Sequence, residues 1–131
     1  MRTATALLVL LAACGPDETI SGFVDPAQRW QLVELGGVAW EVIATVQFPE
    51  EGRVVGRGPC NRFSGAQAAP YPWIDIGPLA VTRMACPELE AEGAFLAALE
   101  AAAFAEVSGD VLILTDEAGR EMVFKAAPER E

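Results

Sequence analysis

A single stretch of this chain carries helical periodicity over more than two turns, and glycine or proline interrupts the rest every few residues. From Glu88 to Phe104, the apolar residues Leu89, Phe95, Leu96, Leu99 and Ala103 recur at spacings of three, four and seven, and alanines fill much of the remainder. Pro87 suits a first helical turn, and Glu88 and Glu90 suit the positive end of the helix dipole. The pattern predicts one helix over about 87–104.

The other segments are short and β-like. Trp30 and Leu32 alternate with Gln31 and Val33 before a turn at Gly36-Gly37, and Trp40 to Phe48 is rich in β-branched and aromatic residues. Further candidates are Arg53 to Gly58, Trp73 to Ile76 and Leu79 to Thr82. A closing hairpin is expected from Val111–Leu114 and Glu121–Lys125, joined at Asp116–Gly119. Six to eight short strands with one helix predict an α+β, mainly β domain. Its sheet should be antiparallel, curved or barrel-like, with the helix packed on it.

The chain has 131 residues, enough for one domain. It carries 19 acidic and 9 basic residues, a net charge of −10 that disfavours nucleic acid and electrostatic docking on anionic membranes. Histidine is absent, which removes Ser-His-Asp and Cys-His catalysis and the commonest zinc ligand. The chain is therefore expected to be non-enzymatic, with no cofactor and no metal.

At the amino terminus a single arginine precedes the apolar run Ala4 to Ala13, and Cys14 follows. This is the layout of an export signal and is too short to span a bilayer. Leu11-Ala12-Ala13-Cys14 resembles the bacterial lipobox, which implies cleavage before Cys14 and acyl chains on it. Two or more chains anchor stably. Gly15 in place of aspartate after the cysteine implies sorting to the outer membrane, facing the periplasm. The expected organisation is a signal at 1–13, a lipidated terminus and tether at 14–26, a domain at 27–127 and a tail at 128–131.

Two cysteines then remain, Cys60 and Cys86. In an oxidising compartment such a pair is most simply a disulfide. Two buried thiols are the plain alternative. A redox or sensor pair is the chemical one, because Cys86 sits where a helix N-cap would lower its pKa.

"VVGRGPCNRFSGAQ" (Val54 to Gln67) followed by "IGPLAVTRMACPE" (Ile76 to Glu88) resembles the signature of the META domain, the HslJ-like family. Trp30-x-Leu32 upstream and "GDVLILTDEAGREMVF" downstream also fit, so the likeness covers roughly residues 28 to 126. It implies a small barrel-like α+β fold, found in envelope lipoproteins and linked to stress, with no settled enzymatic activity.

Within the motif, Asn61 and Gly65 are expected to serve turn geometry, one tolerating left-handed backbone and the other permitting positive φ. Arg62 is a candidate anion contact, or else the partner of a nearby acid. Phe63 is expected in the core, and Ser64 has no base to activate it. Thr82 and Met84 should point inward from a strand, with Arg83 between them facing out. Glu88 and Glu92 share a helix face and are expected to be solvated. Tyr71 and Trp73 are the candidate exposed aromatic contacts. The function expected is a lipid-anchored, stress-related binding module with an unidentified envelope protein or small ligand as partner. The alternatives are a thiol redox protein, or an inhibitor or accessory subunit of an envelope enzyme.

Overall fold

The computed structural model describes residues 3–4 and 15–128. Most of the expected signal, Cys14 and the tail beyond residue 128 lie outside the described residues.

Among the described residues nine antiparallel strands make one sheet: β1 (Trp30–Leu35), β2 (Val38–Ala39), β3 (Thr45–Gln47), β4 (Gly52–Arg57), β5 (Arg62–Gln67), β6 (Ala80–Val81), β7 (Ala102–Ser108), β8 (Val111–Asp116) and β9 (Glu121–Ala126). Their order is β6-β5-β4-β3-β1-β9-β8-β7, with β2 hung on β1. The sheet curls into a half-barrel, and helix α1 (Leu89–Ala101) lies against its inner face. Phe95 and Leu99 of α1 are fully buried. They meet the inward residues of alternating strands, including Leu32, Val46, Val54, Phe63, Leu112 and Phe124. This is the mainly β, single-helix architecture that the sequence predicts.

Boundaries shift where pairing overrides periodicity. The helix stops at Ala101, not Phe104, because Ala102–Ser108 is taken up along β8 as strand β7. The expected strand 40–48 shrinks to β3. The carboxyl half of β1 pairs with β2 and the amino half with β3, so residues 40–44 must bow from one partner to the other. Trp73–Ile76 contributes only isolated bridges, Trp73 to Phe104 and Ile76 to Gln67.

The segment expected as a tether is partly docked. Thr19 bridges Pro70, Ile20 is 1% exposed, and a 3-10 turn runs over Ile20–Gly22. Phe23 stacks on Tyr71 with centroids 4.5 Å apart. Asp17 closes this turn by accepting hydrogen bonds from the Thr19 amide at 2.8 Å and from the hydroxyls of Thr19 and Ser21. Partial burial acts to raise its carboxyl pKa, but the bonds from Ser21 and Thr19 outweigh it and hold the group below the ordinary 3.8. Among the described residues no helix is long and apolar enough to cross a membrane.

Candidate functional site

β4 and β5 form a hairpin closed by Gly58-Pro59-Cys60-Asn61, with the Gly58 amide donating to the Asn61 carbonyl at 2.8 Å. Its position is fixed from outside. Cys60 is disulfide-bonded to Cys86, 26 residues on, with Cα atoms 5.6 Å apart. Asn61 is buried and its amide is fully used. Oδ1 accepts from the Met84 amide (2.6 Å) and the Thr82 hydroxyl (2.9 Å), while Nδ2 donates to the Met84 carbonyl (3.0 Å) and Glu92 Oε2 (2.7 Å). Glu92 Oε1 accepts from the amides of Asn61 (2.6 Å) and Cys60 (3.1 Å). One asparagine and one glutamate thus tie the hairpin, the 82–86 segment and α1 together.

Several expectations change here. Glu92 is 2% exposed, not solvated, because α1 presents it to the hairpin turn. Asn61 acts as a cross-link, and neither it nor Gly65 has positive φ. Space near Gly65 is limited on one side: a Cβ there would lie 2.8 Å from Leu79 Cδ2, a methyl that can turn away. Thr82 and Met84 do not pack inward. Strand β6 ends at Val81, Thr82 serves Asn61 with its hydroxyl, and the Met84 side chain is 68% exposed. Cys86 is not the N-cap, a place taken by Glu88. Phe63 lies in the core, edge-on to Phe95 at 5.8 Å. Tyr71 is half-buried and accepts from the Val107 amide at 3.1 Å, whereas Trp73 is exposed and packs on Phe104. Arg83 is exposed. Sulfur atoms of Cys60 and Cys86 and a carboxylate oxygen of Glu88 come within 4.8 Å of one another, but the bonded sulfurs leave no thiolate for a metal.

On its outward face the hairpin carries more than the single anion contact expected at Arg62. Gln31, Thr45, Arg57 and Arg62 are register partners across β1, β3, β4 and β5, so their side chains form one row. Thr82 extends it, bonded to Arg62 through backbone and hydroxyl. Gln31, Thr45, Arg57 and Arg62 can donate hydrogen bonds, whereas the Thr82 proton is already given to Asn61. The next row, Gln47, Val55, Ser64 and Ala80, is uncharged and its members on β4, β5 and β6 are short. Arg53 stands beyond it on β4, paired with Glu50 at 3.5 Å on an exposed rim. Short side chains between long ones leave a basin of about 870 Å³, within the range of about 300–1,000 Å³ for small-molecule sites. Four arginines line it (Arg29, Arg53, Arg57 and Arg62), and among the described residues no acid does. Arg62 makes no ion pair among the described residues and instead faces Arg57. Like charges directly opposed on neighbouring strands are destabilising. In a chain of net charge −10, this concentration of arginine matches a site for an anion, since the guanidinium fork fits phosphate and carboxylate oxygens two at a time. The signal was present in the sequence: a four-residue turn places the residues flanking it, 57 and 62, side by side.

Comparison with known proteins agrees with the architecture. Residues 24–129 match the model of the META domain. No curated protein matches the chain. An NMR structure of a protein from Burkholderia xenovorans is 22% identical, with 97% of this chain and all of that one covered and a TM-score of 0.66. A crystal structure of a DUF4847 family protein from Bacteroides vulgatus is 15% identical, covers 86% of this chain and 99% of its own, and has a TM-score of 0.66. A second NMR structure is 25% identical over 77% of this chain and 90% of its own, with a TM-score of 0.61.

Proposed function

The chain belongs to the META domain family, and from that premise we propose that it is a non-enzymatic, lipid-anchored protein of a bacterial cell envelope whose domain binds an anionic ligand, in a stress-related role. The opposed Arg57–Arg62 pair carries the binding part of this reading. The residues that bear chemistry in the family motif are spent on holding that pair in place: Cys60 and Cys86 on each other, Asn61 on Thr82, Met84 and Glu92. The anchor and the outer-membrane location rest on Leu11 to Cys14 and Gly15. Detergent-extracted protein should show by intact mass a chain beginning at Cys14 and heavier by its acyl groups, and Cys14→Ser should leave the membrane fraction. Recovery of unacylated wild-type chain from the soluble fraction would refute the anchor.

Inorganic phosphate should raise the melting temperature of the wild type but not of Arg57→Gln/Arg62→Gln. Without ligand, the double variant should be the more stable by roughly 0.2–1 kcal/mol, since a repulsive cross-strand pair is gone. Equal phosphate shifts in both proteins would remove the basin as the site.

The half-exposed disulfide is the observation that favours a thiol redox protein as the second reading. Cys60→Ser/Cys86→Ser should lose about 3 kcal/mol, the value for opening a loop of this size, and keep phosphate binding at temperatures where it is folded. Loss of cellular function at undiminished stability would favour the redox reading instead.

A further inference from the structure

We infer that the ligand of the basin is a single small amphiphile, with one phosphate or carboxylate head and an uncharged chain; this rests on the anion-binding reading above. The cationic charge around the basin is unevenly compensated. Arg53 has Glu50 at 3.5 Å, and Arg29 reaches the Pro128 carbonyl at 3.5 Å. Arg57 and Arg62 have no such partner among the described residues and lie side by side, so the ligand's charge belongs at one place. Beside that place the floor turns uncharged. Val55 and Ala80 line it with Ser64 between them. From β4 to β6 this trough spans two strand spacings, about 10 Å. The aliphatic stems of the arginines flank it while their heads stay free to reach the anion. A bare phosphate would use the arginines and leave the trough empty. A polyanion or an anionic membrane would meet the repulsion of a chain of net charge −10, so a monomeric amphiphile fits both the local and the overall charge.

The test uses the full chain carrying Cys14→Ser, without detergent, titrated with inorganic phosphate, butyl phosphate and octyl phosphate below its aggregation threshold. Each fully buried methylene adds about fourfold in affinity. Octyl phosphate should therefore bind at least 30-fold tighter than inorganic phosphate, with butyl phosphate between them. Val55→Gln, which fills the trough from an outward position, should retain inorganic phosphate binding and reduce the octyl advantage below threefold. Arg57→Gln/Arg62→Gln should lose all three ligands. Equal affinity for phosphate and octyl phosphate, both dependent on the arginines, overturns the amphiphile while leaving an anion site. Binding that survives the arginine variant overturns both. An octyl advantage that persists in Val55→Gln overturns the trough as the chain's seat. Capture of the chain by phosphatidylglycerol vesicles with no binding of octyl phosphate overturns the inference in favour of a membrane surface.

Discussion

Replacing Glu92 by alanine should cost about 3–5 kcal/mol. The loss comes from three donors left without an acceptor, the buried amide and side chain of Asn61 and the part-buried amide of Cys60; each unsatisfied buried group costs about 1–3 kcal/mol. That is a large fraction of the roughly 5–15 kcal/mol that holds a domain together. Glu92→Gln should cost less, since one carboxamide oxygen still accepts, but its NH2 then faces donors. Urea unfolding should show midpoints falling in the order wild type, Gln, Ala, with the slope unchanged. A loss below about 1 kcal/mol for alanine would mean that water replaces the carboxylate and that the hairpin is held by the disulfide alone.

The second large effect is expected at Gly56, in the middle of β4. A Cβ there would overlap the Thr45 carbonyl oxygen and the Phe63 ring. The oxygen belongs to the neighbouring strand and cannot swing aside as a side chain would, and the ring is wedged against Phe95. Gly56→Ala should therefore destabilise by about 3 kcal/mol through overpacking. Because Val55 and Arg57 flank the site, it should also weaken phosphate binding in whatever fraction stays folded. A thermal midpoint within a degree or two of wild type would show that β3 and β4 can separate to admit a methyl group. The contrast with Gly65, whose neighbour is a mobile leucine methyl, makes Gly65→Ala the natural control of smaller effect.

The elements that were legible in the sequence are those whose period is supported locally. Phe95 and Leu99 set the helix face, and Val111–Leu114 with Glu121–Lys125 set the closing hairpin, without help from distant residues. The end of the helix was not legible. Alanine, phenylalanine and valine from 102 to 107 satisfy either period, and pairing with β8 decides between them. Glu92 misled for the same kind of reason. Spacing from Glu88 describes a solvated helix face until a hairpin 31 residues upstream arrives and supplies three donors. The cysteine pair was legible because the sequence pattern leads one to expect export, and in an oxidising compartment two remaining thiols most simply pair. Of the arginine basin only Arg62 was legible, as a single candidate anion contact; the rest of its meaning lies in cross-strand register.

The strap from Thr19 to Phe23 also has a mechanical consequence. It is clipped to the 70–73 loop by the Thr19–Pro70 bridge, the bond from the Tyr71 amide to the Glu18 carbonyl and the Phe23–Tyr71 stack. A pull on the amino-terminal end therefore loads this clip before it reaches β1. A few contacts should peel open first, sparing the sheet from shear. The strap behaves as a strain relief, of the kind fitted where a cable enters its housing.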